Sequence, residues 1–191
     1  MEPFLTSTAV VAIAEIGDKT QLLAMLLATR FQRATPIILG IFVATIANHF
    51  LAALLGAQVA SILDSLWFRY GVGISFIAMA AWTLVPDKMD DDTLKPSRFG
   101  AFVTTVIAFF LVEMGDKTQV ATIALGARFA DVLPVTMGTT MGMMLANVPA
   151  VLLGNALLKR VSLALIRWIA ASLFLAIGVW ILLTVSQILA F

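Results

Sequence analysis

A run of seven residues, five of them charged or polar, lies inside a long apolar segment, and nearly the same run returns half a chain later. The first copy is Glu15-Ile16-Gly17-Asp18-Lys19-Thr20-Gln21, and the second is Glu113-Met114-Gly115-Asp116-Lys117-Thr118-Gln119. A charged side chain at the centre of a membrane-spanning helix costs about 2.5–3.5 kcal/mol on insertion scales. Because the chain carries this cost twice, we expect the charged residues to have a function. The default interpretation is an ion or proton site inside the membrane.

The composition is that of a membrane protein. Of the 191 residues, 61% are hydrophobic and only 12% are charged, whereas soluble domains carry about 25% charged residues. The net charge of +1 and the lack of a basic run give no indication of a nucleic-acid partner. The chain has no cysteine, which excludes disulfides and thiolate metal sites. The first apolar stretch has no basic residues before it, so we expect a first span there and no cleaved signal peptide.

Six stretches are long and apolar enough for membrane helices, which need roughly 20 residues each. They are Phe4–Ala28, Pro36–Ala60, Trp67–Val85, Gly100–Ala127, Pro134–Leu158 and Leu163–Leu189. The polar stretch Pro86–Arg98 between the third and fourth is the one sizeable loop. The sequence therefore predicts an all-α integral membrane protein with six transmembrane helices.

The two halves of the chain are repeats at a constant offset of 98 residues. Beyond the motif, the offset matches charged residues, prolines and tryptophans, as in Arg30 with Arg128, Pro36 with Pro134 and Trp82 with Trp180. Because three spans is an odd number, the second repeat enters the membrane from the opposite side, an inverted plan frequent among secondary transporters. We predict a first three-helix repeat at 1–86, a cytoplasmic connecting loop at 87–99 and a second three-helix repeat at 100–191.

The basic residues of the loops favour one orientation. Eight Lys and Arg residues fall on one side of the six predicted spans, and two, Arg69 and Arg128, fall on the other. Because cytoplasmic loops carry the excess of basic residues, the first side is predicted to be cytoplasmic, with both termini outside.

The position of the motif places its charges deep in the membrane. If the helix continues through it, Glu15, Asp18, Lys19 and Leu22 share one face, and Glu15 lies about 16 Å into its span. Gly17, like Gly115 in the second copy, permits either close approach of another helix or a local break that exposes carbonyl ligands.

Four carboxylates form the predicted metal site. They are Glu15, Asp18, Glu113 and Asp116. With Lys19 and Lys117 nearby, the formal charge is −2, which one divalent cation or two protons would neutralise. Oxygen ligands of this kind favour magnesium, calcium or manganese. The alternative is that each set is an internal ion pair that locks helices together, but such a role requires neither duplication nor excess acid.

Other polar residues are candidates for lining the site. They are Lys19, Thr20, Gln21, Lys117, Thr118, Gln119, Asn48, His49 and Asn147. We expect the lysines to balance charge rather than to act directly. For His49 and its repeat equivalent Asn147, hydrogen bonding between helices is the alternative role.

Three weaker features have simpler explanations. Five methionines offer thioether ligands, although packing is their commoner use: Met25, Met114, Met141, Met143 and Met144. Gly138 and Gly142 form a small-xxx-small pair, which predicts close helix packing. The run Asp90-Asp91-Asp92 lacks the spacing of a calcium-binding EF-hand loop and is interpreted as a solvated loop.

The duplicated E-x-G-D-K-T pattern closely resembles the Gdt1-like cation exchanger family, whose members carry one E-x-G-D-[KR]-[ST] motif in each of two three-helix repeats. The resemblance covers nearly the whole chain, and both motifs match in full. It implies that Glu15 and Asp18, with Glu113 and Asp116, form the metal site. It also implies an exporter of Mn²⁺ in a bacterial inner membrane, with protons and the lipid bilayer as its other partners.

Two alternatives remain open at this point, a Ca²⁺/H⁺ antiporter and a passive divalent-cation channel. A homo-oligomer is also compatible with the sequence. An enzyme is not expected, because the chain contains neither an H-E-x-x-H nor a G-x-S-x-G motif. ATP-driven pumping is not expected either, since there is no P-loop. No cofactor is predicted beyond the transported cation, Mn²⁺ or Ca²⁺.

Overall fold

The computed structural model describes residues 1–62, 65–85, 100–153 and 163–188, which form helices joined by short connections. The helices are α1 (Glu2–Glu15), α2 (Lys19–Phe31), α3 (Ala34–Ile62), α4 (Leu66–Thr83), α5 (Ala101–Glu113), α6 (Lys117–Phe129), α7 (Val132–Leu153) and α8 (Leu163–Ile188). These ranges contain no β-strand, so the all-α prediction is confirmed. The loop Pro86–Arg98, with Asp90-Asp91-Asp92 inside it, lies outside the described residues.

The first and fourth predicted spans are not single helices. The stretch Phe4–Ala28 divides into α1 and α2, and the stretch Gly100–Ala127 divides into α5 and α6. Each interruption falls inside the duplicated motif, where a glycine adopts a positive φ that ends the helix. The prediction that Glu15, Asp18, Lys19 and Leu22 share one helical face is therefore wrong, because the chain turns between Glu15 and Asp18.

The same succession of elements occurs twice along the chain. The helix Lys19–Phe31 has its equivalent in Lys117–Phe129 at the offset of 98 residues, and both contain 13 residues. Both end on a residue in the left-handed conformation, Gln32 with φ 52° and Ala130 with φ 50°. The duplication seen in the sequence is thus repeated in the backbone, down to the residue at which each helix stops.

The two halves of the chain interlock rather than fold side by side. The most extensive helix contacts all join one half to the other: α1 with α7, α4 with α8, and α3 with both α5 and α6. Contacts within a half, such as α2 with α3, are sparser. The buried core therefore lies between the halves, and the two broken helices meet there.

Close packing of α1 against α7 depends on two glycines of α7. A Cβ added at Gly142 would lie 2.7 Å from the carbonyl oxygen of Thr8, and one added at Gly138 would collide with the carbonyl of Phe4. Helices approach this closely in membranes where small residues line the contact. The close packing predicted for this pair of glycines is confirmed.

The outer surface of the helices is apolar. Large hydrophobic side chains such as Leu51, Ile74, Leu111 and Leu183 are more than half exposed. By length and composition, three described stretches suffice to cross a membrane: Ala34–Ser61, Val132–Leu153 and Arg167–Ser186. An apolar exterior around a polar, buried centre is the arrangement expected when lipid is the surrounding solvent.

Candidate metal site

Two helix breaks lie at the centre of the molecule, one between α1 and α2 and one between α5 and α6. In the first, Ile16 is extended, Gly17 has φ 82° and Asp18 is extended again before α2 begins. The second break repeats these angles within a few degrees at Met114, Gly115 and Asp116. The left-handed conformation favours glycine, which explains why this residue type stands at both positions.

Side chains of the motif satisfy the backbone groups that each break leaves unpaired. The Gly17 N–H donates to Gln21 Oε1 at 2.9 Å, and the Gly115 N–H donates to Gln119 Oε1 at 2.6 Å. The Asp18 N–H donates to the Glu15 carbonyl oxygen at 3.0 Å. Non-helical backbone at membrane depth is tolerated only with such internal partners. The glutamine at the end of each motif therefore holds the break in shape.

Both aspartates stand at a helix N-terminus but turn away from it. Asp18 is the N-cap residue of α2 and Asp116 that of α6, and neither side chain caps its own helix. Instead, Asp18 Oδ1 lies 3.0 Å from Lys117 Nζ, and Asp116 Oδ1 lies 3.0 Å from Lys19 Nζ. The two ion pairs thus cross between the repeats and join them at the centre.

Three carboxylates from the two motifs converge. Glu15, Glu113 and Asp116 are all buried, and each offers an oxygen within 4.8 Å of the other two. Oxygens bound to one ion at about 2.3–2.6 Å lie up to roughly 5 Å apart, so the cluster has the size of a coordination sphere. Asp18, the fourth predicted ligand, is also buried and is held by Lys117.

The two glutamates have different surroundings. Glu15 accepts one hydrogen bond from Thr118 Oγ1, at 2.7 Å, and a second from Thr20 Oγ1. Neither carboxylate oxygen of Glu113 accepts a hydrogen bond from the described residues, although the side chain is only 2% exposed. Buried polar atoms are normally hydrogen-bonded, so the two unpaired oxygens of Glu113 are candidates for binding a ligand.

Helices α3 and α7 supply the remaining polar residues. Asn48 Oδ1 accepts from Gln119 Nε2 at 3.2 Å, and Asn48 Nδ2 donates to the carbonyl of Phe110 at 3.0 Å. His49 Nε2 lies 3.6 Å from Glu113 Oε1. Asn147 donates through Nδ2 to the carbonyl oxygen of Met143 at 3.1 Å. The structure thus brings Asn48 and His49 against the motifs.

The methionines differ among themselves. Met114 and Met141 are about half exposed, which is typical of side chains that face lipid, whereas Met25 and Met143 are buried. The sulfur of Met143 lies 2.9 Å from Asn147 Nδ2. Met25 and Met143 belong to a buried hydrophobic cluster, in agreement with packing as the commoner use of methionine.

Sequence reasoning left the helix break at the two glycines as one of two alternatives, although a signal for it was present, and it missed the crossing of the ion pairs. The triplet Gly-Asp-Lys combines the glycine that commonly follows a helix with an aspartate at the N-cap of the next one. These stop and start signals predict a break at Gly17 and Gly115. The crossing of the ion pairs had no such signal, because local sequence does not specify which repeat supplies each partner.

Together, the apolar exterior and the buried charges define an integral membrane protein built around an acidic centre. A family model described as "Divalent cation/proton antiporter GDT1" matches residues 3–91 and 101–188. The chain belongs to this family of membrane transporters. This result agrees with the resemblance inferred from the duplicated motif.

Relatives are similar along most of their length. A "Putative manganese exporter" of Vibrio cholerae serotype O1 is 51% identical, over 92% of this chain and 88% of that protein. The "GDT1-like protein 5" of Arabidopsis thaliana is 27% identical over 96% of both chains. A GDT1-like protein of Synechocystis is 27% identical over 90% of this chain and 92% of its own. No solved structure gives a significant match.

Proposed function

We propose that this protein exports Mn²⁺ from the cytoplasm in exchange for protons. The observation that carries the proposal is the buried cluster of Glu15, Glu113 and Asp116, which offers three oxygens at coordination spacing. Together with Asp18 and the two lysines of the crossed ion pairs, the motifs carry four acidic and two basic side chains, and the surplus of two negative charges matches one divalent cation or two protons. Membership of the antiporter family supports the exchange, and the 51% identical relative supports manganese.

The proposed site comprises the four carboxylates Glu15, Asp18, Glu113 and Asp116. Lys19 and Lys117 position the two aspartates through the crossed ion pairs, and Thr20 and Thr118 orient Glu15. Gln21 and Gln119 hold the breaks that aim the side chains inward. The cation is the substrate of this site, and the proposal includes no resident cofactor and no catalysis.

We further propose that six spans are arranged as two inverted three-helix repeats, 1–86 and 100–191, joined by a cytoplasmic loop at 87–99. Each broken pair, α1 with α2 and α5 with α6, then crosses the bilayer as one span. Supporting this arrangement, the half-helices meet end to end at the acidic centre, as do the discontinuous helices of other inverted-repeat transporters. Both termini would lie outside a bacterial inner membrane.

Transport by everted membrane vesicles tests the function. With the lumen acidified, we expect Mn²⁺ to accumulate inside, because the lumen corresponds to the exterior of the cell. Collapse of the pH gradient with an ionophore is expected to stop accumulation against a concentration gradient. Accumulation of Ca²⁺ without Mn²⁺ would identify a calcium antiporter, and Mn²⁺ flux that ignores the pH gradient would identify a channel.

Cysteine labelling tests the orientation, since the chain has no cysteine of its own. Ser61→Cys places a thiol at an exposed position near the end of α3, and Asp91→Cys places one in the proposed connecting loop. In intact cells, a membrane-impermeant maleimide is expected to label the first variant and to reach the second only after permeabilisation. The reverse pattern would show that the orientation is inverted.

A further inference from the structure

His49 lies at the acidic centre, beside Glu113. Its side chain is fully buried, and neither ring nitrogen is hydrogen-bonded to any part of the chain that the structure describes. Its Nε2 atom is 3.6 Å from Glu113 Oε1, a separation too long for a hydrogen bond. Both oxygens of Glu113 are likewise without hydrogen bonds among these residues.

Two unsatisfied side chains placed next to each other call for an explanation. A neutral imidazole has one N–H donor and one lone pair, and leaving these buried and unpaired is costly. Burial of a free carboxylate beside them adds to the cost. A bound cation would satisfy the Nε2 lone pair and the carboxylate at once, because it accepts an electron pair from each of them.

The separation of the two atoms fits this explanation. Ligand atoms 3.6 Å apart, each at about 2.2 Å from one ion, subtend an angle of roughly 110° at the metal, an ordinary value for neighbouring ligands. Glu113 also belongs to the cluster with Glu15 and Asp116. An ion bound by Glu113 on the side of α3 is therefore within reach of His49.

We propose that His49 binds the transported ion through Nε2 and makes the site prefer Mn²⁺ over Ca²⁺. The inference rests on the proposed function, since it concerns the same site. Calcium and magnesium take oxygen ligands almost exclusively, whereas divalent transition metals also bind imidazole nitrogen, with Mn²⁺ the weakest binder among them. One nitrogen ligand among several carboxylates lowers the affinity of the site for Ca²⁺ and changes its affinity for Mn²⁺ little.

The repeat equivalent of His49 supports a special role for the nitrogen. At the same position of the second repeat stands Asn147. Its amide nitrogen donates to Met143, and its oxygen Oδ1 is buried without a hydrogen bond from the described residues. Among the described residues, the atom left unpaired at this position is therefore a nitrogen in one repeat and an oxygen in the other. His49→Asn makes the two repeats alike and serves as the natural test variant.

Pulsed EPR of bound Mn²⁺ gives a direct test. His49 is the single histidine of the chain, so a ¹⁴N coupling of the imidazole type in tag-free purified protein has only one source. We expect this coupling in the native protein loaded with one Mn²⁺ and its loss in His49→Asn. The control, Asp131→Asn at an exposed position outside the site, is expected to keep the coupling.

Competition between cations gives the second readout. We expect His49→Asn to lower the preference for Mn²⁺ over Ca²⁺ roughly tenfold, with Ca²⁺ binding retained. A purely structural histidine would instead change both affinities together.

The outcomes separate this inference from the proposed function. Bound Mn²⁺ without ¹⁴N coupling in the native protein would overturn the role of His49 and leave the carboxylate site intact. Failure of the native protein to bind Mn²⁺ at all would overturn both. Because the native spectrum alone decides ligation, the test does not depend on the folding of the variant.

Discussion

Transport is expected to fall by at least about 100-fold when Asp116 is replaced by Asn, since loss of a directly bound ligand exceeds the 10–100-fold typical of outer-sphere changes. The amide keeps the shape of the side chain but removes the charge that attracts the cation. Asp116 is both a member of the carboxylate cluster and the partner of Lys19. Initial rates of Mn²⁺ uptake into everted vesicles, normalised to the amount of inserted protein, measure the effect.

Asp18→Asn is also expected to abolish transport, but with a larger loss of stability. Its partner Lys117 is only 7% exposed, whereas Lys19 is 25% exposed. Leaving a buried charge without its partner costs about 3–5 kcal/mol in free energy of unfolding. The double variant Asp18→Asn with Lys117→Gln is therefore expected to regain stability in a thermal unfolding assay without regaining transport.

The matched control for both variants is Asp131→Asn. Asp131 is exposed in the connection between α6 and α7, so the same chemical change there is expected to leave uptake unchanged. Native rates in Asp18→Asn and Asp116→Asn alike would show that the carboxylate site is wrong.

Release of protons on metal binding is the second large effect that we expect. The crossed lysines pair with the two aspartates, and within the described ranges no lysine or arginine forms an ion pair with the buried Glu15 or Glu113. Burial of uncompensated charge is so costly that the metal-free protein is expected to hold at least one proton there. A divalent cation requires the ionised ligands and therefore expels that proton.

The measurement is made on detergent-purified protein in weak buffer. Addition of Mn²⁺ is expected to acidify the medium by at least one proton per ion bound, and metal affinity is expected to weaken as the pH is lowered from about 8 to 5.5. In cells, protons from an acidic exterior would then favour release of the ion on that side. Metal binding without proton release across this range would contradict antiport and favour a uniporter.

Charge and periodicity were sufficient to predict much of this molecule. The offset of 98 residues predicts that Glu15 and Glu113 occupy equivalent positions, and the cost of burying charge predicts that the two motifs come together. The structure confirms the all-α class and places Glu15, Glu113 and Asp116 in one cluster. These inferences succeeded because they depend on the chemical type and spacing of the residues, and not on the directions in which their side chains point.

The sequence left undetermined the directions in which the side chains of the motifs point. A helix continued through Gly17 aligns Glu15 with Asp18, while a break at Gly17 separates them, and glycine permits both. The choice is made by longer-range contacts, such as that of Gln21 Nε2 with the carbonyl oxygen of Ala146, 125 residues away. For the same reason, the sequence suggested that Lys19 pairs with an acid without showing that the acid belongs to the other repeat.

The crossed ion pairs have a consequence for how such a protein can be divided or can have arisen. Each half of the chain carries a complete motif, but its aspartate is balanced by a lysine of the other half, 3.0 Å away. A free-standing half would therefore need a second copy of itself, inserted upside down, to supply the missing cation. Fusion of two such copies into one gene would fix their opposite orientations. A single sequence would then no longer have to insert into the membrane in both orientations.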